Sequence, residues 1–343
     1  MRTPVITTTL ARTAAAVESQ VWETLGTGES FIALRWLSFC EQVLPDEQPL
    51  YVAAYHAGQP VGLGIFWLTS HEPLPMPAGP ARRLLKATIR RWPLLICRVP
   101  LANLPGLILT GPDEVQAAAR RAIFQRVEGF ARRHHVSFVL LDYLPPEQPI
   151  PPGFLRQTGL EPGTRLHLDA ASWDEFVAGM RKSVYKDYRR HNNRARDLGI
   201  SLRTTDTLPD VERAIPLIQH IEEKHGSEPN PYTRRLIEQA HRVEHTWLLA
   251  EIEGQMVGCG LLLGLGQTRF LALLGLDEDV KYVYFQLLYR AIEEAIRQGV
   301  RELRGGTGAY QAKERLGFEK ETNTAVAVYS HRPWLRYLLR RLL

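Results

Sequence analysis

The chain has 343 residues, 45% hydrophobic and 23% charged, with 42 Lys and Arg against 37 Asp and Glu for a net charge of +5. That balance excludes a disordered or fibrous chain, and the length predicts two domains, each able to bury a core. Three scattered cysteines (Cys40, Cys97, Cys259) with no CxxC spacing exclude a disulfide scaffold and a zinc module, and point to a reducing compartment.

At the start of the chain, Thr7 to Thr9 interrupt any apolar signal region, and no later run reaches the roughly 18 apolar residues of a membrane span. The expected location is cytoplasmic. Residues 50–68 read as a strand, a turn at Ala57-Gly58-Gln59 and a second strand. Residues 70–103 are Pro-rich and basic, and a third strand is predicted at 104–110. Val115, Ala119, Ile123, Val127 and Phe130 then form one helical stripe, followed by a buried-type strand from Val136 to Tyr143. The same order returns in the second half. A hairpin at 247–264 turns at Glu253-Gly254-Gln255, and a third strand runs 269–276. A helix follows on Tyr284, Leu288, Ile292 and Ile296, then a strand from Val300 to Arg304. Both hairpins contain Gly-Gln-x-Val-Gly, at Gly58 to Gly62 and at Gly254 to Gly258, and both halves close on related phrases at 154–161 and 313–319. Gly62 and Gly159 are 97 residues apart and Gly258 and Gly317 are 59 apart, which predicts one insertion, at 70–103, in one of two repeats.

This order, with its closing Arg315-Leu316-Gly317-Phe318-Glu319, resembles the GNAT acyltransferase fold, and two such units in tandem resemble the Fem-type and BioF2-like acyltransferases. The Lys- and Arg-rich helix from Met180 to Ile200 is similar to theirs, as is the run Gly305-Gly306-Thr307-Gly308-Ala309-Tyr310-Gln311-Ala312-Lys313. The resemblance implies an α/β layered fold of two tandem GNAT units, each a mixed, largely antiparallel sheet flanked by helices. Residues 1–170 would be a degenerate, supporting first unit with the basic insertion, and 171–343 the unit with the active cleft. It further implies an N-acyltransferase that moves an acyl group from a CoA thioester (acyl-CoA as co-substrate) to a primary amine of a small, peptide or anionic acceptor. The usual pyrophosphate loop is replaced by Asp277-Glu278-Asp279-Val280-Lys281, and no long helical hairpin interrupts 205–245. The alternatives are an aminoacyl-tRNA-dependent transferase acting on a peptide or peptidoglycan precursor, and a non-catalytic GNAT-derived binding module.

Charge is concentrated in three stretches. Residues 79–111 hold six basic residues and no acid, 179–203 a net +6, and the segment from His331 four arginines. In helix 179–198, Met180, Val184, Tyr188, His191, Ala195 and Leu198 can face a core. Lys182, Lys186, Arg189, Arg190, Arg194 and Arg196 on its other faces suit a phosphorylated or acidic ligand, or simply solvate the helix, and Lys182, Tyr185, Lys186, Arg189, Arg190, Asn193 and Arg196 are its candidate binding residues. Lys313 is the eighth candidate for binding substrate. In GNAT enzymes a tyrosine at the place of Tyr310 serves as general acid, and Glu223, in the cluster Glu222-Glu223-Lys224-His225, is a candidate general base or a polar helix end. Leu276, Asp277, Lys281 and Tyr282 lie on the expected donor side, where Asp277 and Asp279 suit a helix cap. The cleft is thus expected to be bordered by 183–196, 275–283 and 305–313. No metal-ligand spacing occurs, and no DNA-recognition helix. Residues 81–92 and 333–343 mix apolar and basic residues at helical spacing, as an interfacial helix on an anionic membrane does, or as a lid or dimer contact does.

Overall fold

A computed structural model describes residues 4–26, 31–72, 79–224 and 228–342. The chain begins with β1 (Ile6–Ala11), α1 (Ser19–Leu25), α2 (Leu34–Val43) and the hairpin β2 (Gln48–His56) and β3 (Gln59–Thr69). After α3 (Pro80–Arg91) come β4 (Leu94–Val99), β5 (Leu104–Pro105), β6 (Leu107–Leu109), α4 (Asp113–Arg133), β7 (Phe138–Leu144) and β8 (Leu155–Gln157). Next are β9 (Thr164–His167), α5 (Trp173–Ala178), α6 (Lys182–Asp197), β10 (Ser201–Thr205), α7 (Val211–Lys224) and α8 (Thr233–Gln239). A second hairpin, β11 (Glu244–Ile252) and β12 (Gln255–Leu265), leads to β13 (Thr268–Leu276), α9 (Val283–Arg297) and β14 (Glu302–Arg304). The chain closes with α10 (Tyr310–Arg315), β15 (Glu319–Lys320), β16 (Ala325–Tyr329) and α11 (Pro333–Leu342).

The repeated Gly-Gln-x-Val-Gly phrase does two jobs. Ala57 and Gly58 have φ of 50° and 78°, and Glu253 and Gly254 have 50° and 80°, so each hairpin turns through two left-handed residues, which matches the strand twist. At the phrase's last glycine the sheet meets its helix. A Cβ on Gly258 would stand 2.4 Å from Val283 Cγ1, and one on Gly62 would stand 3.3 Å from Ile123 Cδ1. Both helices bury the stripe their spacing predicts: Ala119, Ile123, Val127 and Phe130 on α4, and Leu288, Ile292 and Ile296 on α9. Each Val, Leu, Ile or Phe side chain among them contributes about 1.5–3 kcal/mol on burial.

The first sheet has the order β1-β2-β3-β4-β7-β16-β8, with β5 on β4 and β6 on β3; the second runs β10-β11-β12-β13-β14-β9-β15. Pairing is antiparallel except for β4 with β7 and β13 with β14. Helices α4 and α9 lie within those two parallel connections, as crossover helices do.

Two sequence expectations are corrected. The first concerns the boundary: the compact units are residues 1–161 with 322–343, and residues 162–321, rather than 1–170 and 171–343. The cause is strand exchange. Strand β9 pairs with β14 (Leu303↔Leu166) and β15, while β16 pairs with β7 (Ala327↔Leu141) and β8. Each half's last strand completes the other half's sheet. The second concerns the strand expected at 104–110. In its place, Leu94–Val99 pairs with both β3 and β7, and only Leu107–Leu109 continues along β3. The inserted segment is therefore shorter than 70–103. Left-handed Leu101 and Asn103 carry the chain off the strand and back again.

Candidate functional site

In the second unit, α6, α9 and α10 enclose a cavity of about 570 Å³. Helix α6 contributes Val184, Asp187, Arg190 and His191, α9 contributes Phe285 and Tyr289, and the start and body of α10 contribute Ala309 to Ala312, Arg315 and Leu316. The cavity therefore has the predicted first and third borders. Its middle border lies on α9 itself, beyond the loop 275–283.

At its centre, His191 Nδ1 lies 2.9 Å from the Tyr289 hydroxyl, and the imidazole stacks on Phe285 with centroids 4.0 Å apart. Burial, aided by the nearby Arg190 charge, holds the His191 pKa below its ordinary value, and burial pushes Tyr289 up. At neutral pH the pair is a neutral imidazole beside a neutral phenol, so the ring has a lone pair to offer. Next to it, Asp187 pairs with Arg190 at 2.9 Å and with Arg315 at 2.5 Å. Two guanidiniums on one carboxylate leave the rim with a net positive charge, suited to a phosphate or carboxylate.

Tyr310 lines this cavity, but its hydroxyl donates to the Pro162 carbonyl at 2.9 Å, so its proton is already committed. Lys313 departs from expectation. It is 3% exposed, lines no part of the cavity, and donates to the carbonyls of Gly305, Gly306 and Thr307 at 2.6, 3.2 and 3.1 Å. Desolvation lowers its pKa to about 8. The backbone explains the burial: Gly306, Gly308 and Ala309 are all left-handed, and the ammonium gathers the carbonyls that this coiled turn directs inward, that of Gly306 shared with the Thr164 hydroxyl at 2.8 Å. Lys313 thus shapes the turn that delivers α10, and its three donors are spent there.

The outer face of α6 carries a shallow hollow of about 590 Å³. Lys182, Tyr185, Lys186, Arg189, Arg190 and Asn193 line it, with Arg194 and Asp197. Of the binding residues expected on this helix, only Arg196 lies outside; it donates to Asn193 Oδ1 at 3.1 Å. Arg190 borders both the hollow and the cavity.

Other expectations are not brought to the site. Glu223 is exposed on α7 and lines neither space, because α7 turns Ala214, Leu217 and Ile218 inward and leaves Glu223 on the opposite side. His225 and Gly226 lie outside the described residues. Leu276, Asp277, Lys281 and Tyr282 do not line the cavity, although the Tyr282 ring stands 5.8 Å from that of His191. Asp277 accepts from Arg213 at 2.7 Å and from the Asp279 amide at 3.2 Å, closing its own turn, so neither aspartate caps α9. The residue before α9 is left-handed Tyr282, and no side chain caps the helix. Sequence reasoning missed His191 as a site residue because its spacing is that of the core stripe. A lone polar member in that stripe was the available signal. Tyr289, Arg315 and Asp187 carry no local signal. Among the described residues, no group of three or more His, Cys, Asp and Glu side chains is arranged to hold a metal, and no helix is long and apolar enough to cross a membrane.

A family model named FemAB-like and described as peptidoglycan biosynthesis/recognition matches residues 13–341. Among solved structures, FemX aligns with a TM-score of 0.65 at 10% identity, over 98% of this chain and 99% of that one. A tandem GNAT protein from the clavulanic acid biosynthesis pathway aligns with a TM-score of 0.54 at 15% identity, over 95% and 99%. The C-terminal domain of a protein named for lysylphosphatidylglycerol synthetase, from Agrobacterium fabrum, aligns with a TM-score of 0.50 at 9% identity, over 95% and 94%. At these identities the likeness is one of fold, two GNAT units in tandem. No curated protein matches the sequence.

Proposed function

The chain belongs to the FemAB-like family, and from that premise we propose that its second unit is an N-acyltransferase centre acting on a primary amine of an anionic acceptor. The observation that carries the reading is the cavity with the neutral His191–Tyr289 pair beside Arg190 and Arg315. The cations hold the acceptor's phosphate or carboxylate. As the amine nitrogen bonds to the acyl carbon, the carbonyl electron pair moves onto oxygen and returns when the bond to the leaving sulfur breaks. His191 takes the proton that the amine sheds and returns it to the thiolate. Tyr289 fixes the imidazole's orientation through Nδ1, and in the tautomer this reading requires Nδ1–H donates to the Tyr289 oxygen and Nε2 carries the accepting lone pair. The Tyr310 hydroxyl supports the fold of the site through Pro162, in place of the general-acid role expected of it.

The donor in this reading is a CoA thioester. A second donor, aminoacyl-tRNA, is favoured by one observation: the exposed, basic outer face of α6 adjoins the cavity at Arg190 and suits a polyanion. The full chain, given labelled acetyl-CoA or labelled aminoacyl-tRNA with an amine-bearing peptidoglycan precursor, should transfer label from one of them. His191→Gln should lower turnover by about 10²–10⁴-fold. Wild-type turnover in both His191→Gln and Arg315→Ala would refute the assignment. No transfer from either donor would favour the binding module.

Attachment to an anionic membrane surface belongs to the same proposal. Leu84 of α3 is 71% exposed and Trp334 and Tyr337 of α11 are 50% and 56% exposed, amid basic residues. Trp92, next to α3, meets Trp334 at 6.1 Å. Flotation with phosphatidylglycerol vesicles but not phosphatidylcholine vesicles is the expected result, and no flotation with either removes this part of the reading.

A further inference from the structure

The first unit has a cavity of its own, about 390 Å³, between α4, the segment 150–154 and Tyr329 of β16. It lies against the same stretch of its unit's crossover helix as the cavity described above does in the second. In each unit the crossover helix ends five residues before the parallel strand pairing begins, at Phe138 after Arg133 and at Glu302 after Arg297. This register matches Arg121 with Phe285 and Gln125 with Tyr289, and all four line their respective cavities. It also matches Ile123 with Leu287, each seated against the last glycine of the hairpin phrase. The same helix positions thus line a cavity in both units, with a cation and an amide in the first where the second has an aromatic and a phenolic side chain.

Arg120 is the informative residue. Its guanidinium is half-buried, its Nε is shielded from solvent without a hydrogen-bond partner, and among the described residues it makes no ion pair. Burial alone lowers its pKa. A partly desolvated cation with no counter-charge among the described residues is unfavourable in a folded protein and is relieved by an anion. Arg121 beside it adds a second, exposed cation. The walls are apolar: Phe124 meets Phe154 edge-on at 5.4 Å, and Phe154 stacks on Tyr329 at 5.2 Å, with Ile150 and Pro151 alongside. At the far end Glu128 is already satisfied, accepting from the Tyr329 hydroxyl at 2.9 Å and from Arg132 at 2.8 Å, so its charge is balanced locally. The volume lies within the range of small-molecule sites.

We infer that the first unit binds an organic anion with an apolar body, its charged group on Arg120 and Arg121 and its body between Phe124, Phe154 and Tyr329. Carboxylates and phosphate monoesters share this chemistry. Titration calorimetry on the full chain separates them, with octanoate in one arm and phenyl phosphate in the other, and octanol and octylamine as controls. The expected result is binding of at least one anion, about tenfold or more tighter than octanol, and none of octylamine. Arg120→Gln should weaken that anion about tenfold while near-ultraviolet circular dichroism stays unchanged, and Arg315→Ala in the second unit should leave it intact. Octanol binding as tightly as whichever anion binds, no binding of either anion, or loss of binding in Arg315→Ala would overturn the inference. The octanol comparison needs no variant, so a misfolded Arg120→Gln leaves the test decisive. None of these readings depends on turnover at the second unit.

Discussion

Removing the carboxylate of Glu321 should destabilise the second unit far more than removing an ordinary surface acid. Glu321 Oε1 and Oε2 accept from Arg304 Nε and Nη2 at 2.6 and 2.7 Å, and the two side chains are 8% and 5% exposed. An exposed pair of this kind contributes about 0–1 kcal/mol. Here the guanidinium is buried, with Phe270 5.8 Å away, so Glu321→Ala takes a bidentate carboxylate from a charge that has little access to water and costs roughly 3–5 kcal/mol. At about 2–4 °C per kcal/mol for a unit of this size, the melting transition should fall by roughly 6–20 °C. The pair Arg304→Met with Glu321→Leu should recover most of that loss, because it removes both buried charges together. Thermal and urea unfolding of the single and double variants, followed by circular dichroism, measures both effects. A Glu321→Ala loss under about 1 kcal/mol, or a double variant less stable than the single, would refute the argument.

Gly258→Ala should cost about 1–3 kcal/mol in urea unfolding, because its Cβ would meet Val283 on the packed face of α9. Gly62→Ala should cost less, since its nearest neighbour is the end of the Leu109 side chain at 2.9 Å; equal losses would contradict this. The acid limb of kcat/KM should lie below pH 6.5, since His191 must be neutral to accept a proton and its pKa is depressed from that value. The same depression means that the unfolded chain binds the extra proton first on acidification, so His191's contribution to stability is lost as pH falls through that window. An acid limb at or above pH 7 would exclude His191 as the base. A fragment spanning 162–321 should unfold cooperatively, because it contains every strand of the second sheet. A fragment spanning 171–343 lacks β9 and should not, and comparable denaturation curves for the two would count against the strand exchange.

The repeat was legible because its signals are local. Turn chemistry at Ala57-Gly58 and Glu253-Gly254 and the apolar stripes of α4 and α9 depend on neighbours a few residues away. Strand exchange was not, because the apolar alternation of Thr164–His167 and Ala325–Tyr329 suits a half-buried place in either sheet, and the partner is chosen by contacts far along the chain. Strand β4 was hidden in a basic segment. Buried along almost its whole length, it shows the continuous apolar run Leu94–Cys97 where an alternation would have marked it. The excursion after it turns at Leu101 and Asn103, and leucine gives no warning of a left-handed backbone. At the site, the cationic face of α6 announced itself through unmatched charge. His191 did not, since its position fits the core stripe, and neither the burial of Lys313 nor the Tyr310 bond to Pro162 leaves a trace in residue spacing.

Exchanged closing strands also fix an order of events on the ribosome. The unit that is second along the chain has all its strands as soon as residue 321 emerges, whereas the first cannot fill the gap between β7 and β8 until Ala325–Tyr329 follows. At about 5–20 residues per second, residues 1–161 wait roughly ten to thirty seconds with the edge of β7, which carries Val139, Leu141 and Leu144, open to any passing strand. Vectorial synthesis therefore completes the later half first, and the nascent earlier half is where a chaperone would have to stand guard.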